Sequence, residues 1–206
     1  MTVIIDYGLG NLGSIKNMLK KLGEAAEITR DHAKIANADK LILPGVGAFD
    51  DGMKNLEEQG LIPLLNKKVL VEKTPILGIC LGMQLMTAKS AEGNIPGLNW
   101  IEGEVKRFPE LFNGEKLRIP HMGWNVLVPQ NDAENNIFRA ELAQLRFYFV
   151  HSFYVQVKNA AEIIGSTSYG YEFVSAFKKD NIIGMQFHPE KSHKFGMAIL
   201  KNFIES

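Results

Sequence analysis

The strongest constraint on the fold is the stretch Pro75-Ile76-Leu77-Gly78-Ile79, an apolar run without polar alternation that passes within a few residues into a helical pattern over 83–89. A strand that is apolar on both faces belongs in a sheet covered by helices on both sides, as parallel sheets are. The rest of the first ninety residues has the same rhythm of short apolar runs and amphipathic segments, as in βαβ units. Val3-Ile4-Ile5, Glu27-Ile28-Thr29 and Leu41-Ile42-Leu43 read as strands. Ile15, Met18, Leu19 and Leu22 recur at helical spacing, and Gly23 ends that pattern as a C-terminal cap would, so a helix is predicted over 14–22. Four strands then form a doubly wound core.

From Trp100 onward the texture changes, with predicted strands over 104–108, 124–128, 146–155, 162–168, 172–177 and 182–187 and a closing helix over 195–203. No Pro/Ser-rich linker, charge block or internal repeat divides the chain, and 206 residues are somewhat few for two ordinary domains. The expected fold is therefore α/β: one domain over 1–206, an open mixed sheet flanked by helices. The apolar positions Leu56, Ile62, Leu64, Leu65, Val69 and Leu70 read as a buried helical face, Trp100 with Phe108 as core, and Lys67-Lys68 as a solvated surface pair.

Charge and cysteine usage limit the possible functions. Lys+Arg and Asp+Glu both number 23, so no net field draws in a polyanion, and nucleic acid is not an expected partner. One cysteine cannot form an internal disulfide, an acid already at Asp6 does not suit a secretory signal, and no apolar stretch of about 18 residues is available to span a bilayer. The expectation is a cytoplasmic chain with no membrane association. No His/Cys/Asp cluster has the spacing of metal ligands, so neither metal nor cofactor is expected.

The chemistry centres on Gly78-Ile79-Cys80-Leu81-Gly82, glycines flanking a cysteine at a predicted strand-to-helix junction. This is the pattern of a nucleophile elbow, a turn that raises the nucleophile above the sheet at the positive end of a helix. A helix terminus and a neighbouring imidazole together make a thiol a competent nucleophile. Cys80 as a small buried hydrophobe is the competing reading, but it does not explain a symmetric glycine pair at an element boundary. Of the five histidines, His188 is the best base, because it follows the predicted strand over 182–187 and so lies at the carboxyl edge of the sheet, where open α/β sheets bind ligands. Pro189 stops that strand, and Glu190 can orient the imidazole and stabilise its protonated form. Acyl transfer also needs donors for a developing oxyanion. Pro44-Gly45-Val46-Gly47 offers backbone N–H groups, Val46 and Gly47 among them, and the N–H of Leu81 is the natural second donor. Gly8-Leu9-Gly10-Asn11-Leu12-Gly13 also satisfies G-x-G-x-x-G, a weak dinucleotide-binding signal for which Glu27 and Asp31 are only rough ribose-binding acids.

Taken together, the chain resembles the class I, triad-type glutamine amidotransferases along essentially its whole length, in particular the glutaminase subunits of imidazole glycerol phosphate synthase. The Gly78-Ile79-Cys80-Leu81-Gly82-Met83-Gln84 and Gln186-Phe187-His188-Pro189-Glu190-Lys191-Ser192 segments are shared by triad glutaminases. Asp6-Tyr7-Gly8-Leu9-Gly10-Asn11, Leu43-Pro44-Gly45-Val46-Gly47-Ala48-Phe49, Pro120-His121-Met122-Gly123-Trp124-Asn125 and Phe149-Val150-His151-Ser152-Phe153-Tyr154 narrow the choice to the synthase subunits. The resemblance implies a flavodoxin-like core and a Cys80, His188, Glu190 triad acting on glutamine. It implies that Gln84 and Glu92 hold the amino-acid end of glutamine, with backbone groups of Gly47, His151, Ser152 and Phe153 lining the pocket. It further implies a (β/α)8-barrel synthase subunit as partner, faced by Asn11, Trp124 and Lys191. Paralogues that supply ammonia for modifying bacterial surface sugars keep the same triad.

Overall fold

The computed structural model describes residues 1–130, 137–138 and 144–206. Its first half runs β1 (Thr2–Ile5), α1 (Leu12–Lys21), β2 (Ala26–Thr29), α2 (His32–Ala36), β3 (Lys40–Leu43), α3 (Phe49–Glu58), α4 (Leu61–Asn66) with a π-helical extension (Lys67–Val71), β4 (Ile76–Ile79) and α5 (Leu81–Leu85). The second half is mostly strand: β5 (Lys89–Ser90), β6 (Gly103–Arg107), the small hairpin β7 (Leu111–Phe112) and β8 (Glu115–Lys116), β9 (His121–Pro129), β10 (Leu145–His151), β11 (Phe153–Val157), β12 (Ile163–Tyr169), β13 (Tyr171–Lys179) and β14 (Ile182–Met185). A 3₁₀ turn (Pro189–Lys191) and α6 (His193–Glu205) close the chain.

One mixed sheet runs through both halves in the order β10-β9-β12-β13-β14-β4-β3-β1-β2. Within it β14, β4, β3, β1 and β2 are parallel, and β13 joins β14 antiparallel. The inner parallel strands β1, β3, β4 and β14 are mostly apolar on both faces because both faces are covered, and alternate residues enter different cores, whereas β2 at the end of the order is only partly buried. Val3, Ile5, Leu41 and Leu43 pack into one layer with Phe49, Leu56, Leu81 and Leu85, whereas Ile4, Ile42, Leu77 and Ile79 pack into the other with Ile15, Leu19, Ile199 and Phe203. No helix among the described residues is long and apolar enough to cross a membrane.

Several local expectations are corrected by tertiary contacts. The helix predicted over 83–89 is α5, which begins at Leu81 and ends at Leu85. It stops there because the returning segment takes its carbonyls: Leu98 N–H donates to Leu85 O at 2.8 Å and Trp100 N–H to Met86 O at 2.8 Å. The single strand predicted over 146–155 is two, β10 pairing with β9 and β11 with β6 and β13, with the change of partner at Ser152. Helix α2 is too short to show a hydrophobic period and is fixed by Asp31, whose carboxylate caps the amides of Ala33 and Lys34. Lys68 is not a solvated surface residue. It is 5% exposed, donating to Ala36 O at 3.0 Å and pairing with Glu72 at 3.0 Å. Leu70, assigned to the buried face, is 43% exposed, because the π-helical extension turns it away from the core. Trp100 and Phe108 are core residues as expected.

Candidate active site

Cys80 sits between β4 and α5 with φ 53° and ψ −108°, a region L-residues seldom occupy and whose strain is of order 1–3 kcal/mol. Its neighbours hold it there: Cys80 N–H donates to Met185 O at 2.7 Å on β14, and Cys80 O accepts from Gln84 N–H at 3.2 Å inside α5. The flanking glycines are explained by close approach. A Cβ on Gly82 would lie 1.8 Å from the Leu43 carbonyl oxygen, and one on Gly78 would lie 2.7 Å from Met86 Cε and 2.9 Å from the Gly82 backbone. Only glycine at both places lets α5 sit so tightly on β3 and β4.

His188 and Glu190 come from the chain just past β14, where the 3₁₀ turn begun by Pro189 folds Glu190 back onto the imidazole. Nδ1 of His188 lies 2.8 Å from Glu190 Oε1, and both side chains are 2% exposed. Among the described residues, His188 Nε2 and Glu190 Oε2 are buried without a nitrogen or oxygen partner, leaving Nε2 as the ring atom available to the sulfur. Burial opposes the charged imidazolium, but Cys80 and Glu190 outweigh it and push His188 up to about 10. A proton held there can be delivered to a leaving group.

Val46, Gly47, Cys80, Leu81, Gln84, Glu92, His151, Ser152, Phe153 and His188 line one cavity of about 350 Å³, inside the range typical of small-molecule sites, about 300–1,000 Å³. Every expected catalytic, oxyanion and substrate position except the enclosed Glu190 is therefore brought to this one space. In this conformation the Leu81 N–H is spent on Gly45 O at 3.3 Å, so it is not free to receive an oxyanion. Glu92 at the rim accepts from Phe49 N–H at 3.0 Å. Partial burial raises its carboxyl, Asp50 and Asp51 add to the rise, and the Phe49 amide opposes it.

His151 is not a second base, because both its nitrogens are committed. Its Nδ1 lies 2.7 Å from the Phe153 carbonyl, which can only accept, so Nδ1 carries the hydrogen and Nε2 accepts from His121 Nδ1 at 2.9 Å. His121 Nε2 in turn takes an N–H from Asn125 at 3.2 Å. Burial lowers both imidazoles, His121 to about 4 and His151 to about 3, so the pair is neutral near pH 7.

The positions expected to face a partner lie at the same carboxyl edge of the sheet. Trp124 is 40% exposed and stacked on His193 at 5.6 Å, Lys191 Nζ lies 5.6 Å above the Tyr148 ring, and Tyr148 also meets Trp124 edge-on. Asn11 is exposed at the start of α1, which packs against the Pro189–Lys191 turn. The G-x-G-x-x-G loop is not an open phosphate cradle: Gly10 lies against Pro44 and Gly45, Gly13 is inside α1, Glu27 is paired with Lys34, and Asp31 is the α2 cap.

Sequence reasoning gave no role to two residues beside the nucleophile. Tyr7 is fully buried, its hydroxyl donates to Pro44 O at 2.6 Å, and burial first, with Cys80 second, raises its phenol well above the ordinary value, so it braces the glycine loop as a neutral donor. Gln186 is also fully buried and reaches Cys80 Sγ. Their signal was present, since Tyr7 lies two residues past the end of β1 and Gln186 stands two residues before His188, but no pattern states what a side chain near a strand end will touch.

Residues 3–206 match the family Glutamine amidotransferase class-I. The chain is 55% identical over 205 residues to the imidazole glycerol phosphate synthase subunit HisH 2 of Methanococcus maripaludis, covering 100% of this chain and 99% of that protein. It is 47% identical to HisH 2 of Pseudomonas aeruginosa, again over 100% and 99%. The solved structure of PurLQS from Thermotoga maritima shares the fold, with TM-score 0.74, 16% identity, and 99% and 97% coverage. The elbow cysteine, the His-Pro-Glu turn and the full-length match agree: the chain belongs to the class-I glutamine amidotransferase family.

Proposed function

We propose that this protein is the cytoplasmic glutaminase subunit of imidazole glycerol phosphate synthase in histidine biosynthesis, passing ammonia to a (β/α)8-barrel synthase subunit. The observation that carries the chemistry is Cys80 at the strained elbow, sharing one cavity with His188, whose other face is held by Glu190 at 2.8 Å. The pathway is supported by the relatives' assignment as HisH subunits. The Cys80 sulfur attacks the side-chain amide carbon of glutamine, forming a C–S bond. The C–N bond then breaks as His188 delivers its proton to the departing nitrogen, releasing ammonia. Water adds to the resulting glutamyl thioester with His188 as base, and the C–S bond breaks to give glutamate and restore the sulfur. Glu190 orients His188 and stabilises its charged form. Val46, Gly47 and Leu81 supply oxyanion donors, which requires the Leu81 N–H to be released from Gly45.

Gln84 and Glu92 both suit the α-ammonium of glutamine. The two hydrogens of the Gln84 amide are spent on Phe153 O and Gln186 Oε1, so it offers the cavity an acceptor, as the Glu92 carboxylate does. Backbone groups of Gly47, His151, Ser152 and Phe153 line the remainder of the substrate's path, and Asn11, Trp124 and Lys191 face the partner.

A second reading is suggested by the numeral in the names of the two relatives, HisH 2 in both. In it the same glutaminase feeds a different synthase, such as one modifying surface sugars. Glutamate release from glutamine, measured alone and with a histidine-pathway barrel synthase holding its ribonucleotide ligand, separates the two, with Cys80→Ala as blank. A low rate that rises steeply with the loaded partner is expected. Cys80-dependent hydrolysis indifferent to that partner favours the second reading, and hydrolysis surviving Cys80→Ala overturns the mechanism.

A further inference from the structure

Gln186 lies just past β14, fully buried, with its backbone N–H donating to Ser175 O at 2.9 Å. The direction of its side-chain amide is fixed by a group that has no choice. The Phe153 carbonyl can only accept, and Gln84 Nε2 stands 3.2 Å from it, so that atom must be the amide nitrogen. The second hydrogen of this nitrogen points to Gln186 Oε1 at 3.0 Å. The Gln186 NH₂ is thereby turned to Cys80 Sγ at 3.6 Å, an ordinary separation for an N–H to sulfur contact. Rotating the Gln186 amide alone by 180° would set two NH₂ groups against each other and turn oxygen lone pairs toward the sulfur. Rotating both would set the Gln84 oxygen against the Phe153 carbonyl. His151 Nδ1 holds the same carbonyl from another side at 2.7 Å, so the anchor of the chain is itself fixed.

We propose that Gln186 is a positioning residue that donates an N–H to the Cys80 sulfur, aiming it into the cavity and favouring its anionic form, with Gln84 and the Phe153 carbonyl as its anchor. Two consequences follow from the chemistry. A sulfur that accepts a hydrogen bond on its protein side keeps its remaining lone pairs for the substrate side, where His188 also lies. A donor aimed at a buried sulfur also stabilises negative charge more than neutral thiol, because bonds to charged groups are the stronger ones. The catalytic importance of Gln186 rests on the glutaminase reading, whereas its effect on the sulfur does not.

Cys80 is the only cysteine, so iodoacetamide labelling followed by intact mass reports on it alone and needs neither glutamine nor partner. For Gln186→Met, which keeps length and apolar bulk but has no donor, labelling at pH 7 is expected to fall about tenfold and its pH dependence to move up by about one unit. The kcat for glutamine should fall with KM nearly unchanged. A folded Gln186→Met with parent-like labelling and pH dependence overturns the proposal, even if its kcat falls, since a merely structural loss would do that. If Gln186→Met does not fold, Gln84→Met carries the test: it leaves the Gln186 amide in place but unanchored, so slower labelling supports the proposal and parent-like labelling overturns it. A displaced labelling profile in a chain that never hydrolyses glutamine would leave this proposal standing and remove the glutaminase reading.

Discussion

Glu190→Gln isolates the charge of Glu190 from its shape. The amide is nearly isosteric and can still accept from His188 Nδ1 through its oxygen, so the 2.8 Å contact and the tautomer survive while the negative charge is lost. Both side chains are 2% exposed, so water does little to screen the change. A hydrogen bond to a charged group contributes about 1.5–3 kcal/mol and a neutral one about 1 kcal/mol, leaving a loss of about 0.5–2 kcal/mol. The middle of that range corresponds to about tenfold in rate and about one unit in the titration of His188. His188 is pushed up to about 10 in the native protein, against burial, which lowers it, by Cys80 and Glu190, which raise it. A raised imidazole stabilises the fold fully below its unfolded value, about 6.5, and that stabilisation is lost as pH climbs through the folded value. Removing Glu190's charge brings the upper end of this window down. Glutamate release across pH 6–10 with the partner present should therefore show kcat reduced about tenfold and the high-pH limb, where the proton donor is lost, moved to lower pH. A variant with its limb unmoved and a rate within about twofold of the parent would refute the assignment of Glu190 as the support of a charged His188.

Gly82→Ala would place a Cβ 1.8 Å from the Leu43 carbonyl oxygen, a backbone atom that cannot rotate aside, so α5 must move. Overpacking of this kind costs about 1–3 kcal/mol or more, and because α5 carries Leu81 and Gln84, activity should fall with stability; a urea-unfolding change under about 0.5 kcal/mol would contradict the tight seating of α5. Lys68→Met removes the buried ammonium from Ala36 O while Glu72 keeps Lys67 at 3.3 Å. Losing this hydrogen bond to a charged group should cost about 1.5–3 kcal/mol by the same assay, with glutamine turnover unchanged at temperatures where the variant is folded.

The grouping of Cys80, His188 and Glu190 was legible because each is announced by its neighbours in the chain. Glycines two residues either side of Cys80, an apolar strand ahead of His188 and a proline between His188 and Glu190 are local signals, and local backbone rules place such residues at strand ends. The parallel core was legible for the same reason, since a strand buried on both faces can carry no polar alternation. The sequence did not reveal where chain segments distant in sequence take up each other's hydrogen bonds. The early end of α5 depends on carbonyls claimed by Leu98 and Trp100, and the break between β10 and β11 on two different partner strands. The burial of Lys68 likewise depends on Ala36, 32 residues away. The same holds at the site. The sequence by itself determined on which edge of the sheet Cys80, His188 and Glu190 stand. Only the tertiary structure decided that His151 has no lone pair to spare, that the Leu81 amide is occupied by Gly45, and that Gln186 faces the sulfur with its nitrogen. Hydrogen-bond direction is passed from one fixed acceptor through successive side chains, and those side chains become neighbours only when the fold has closed.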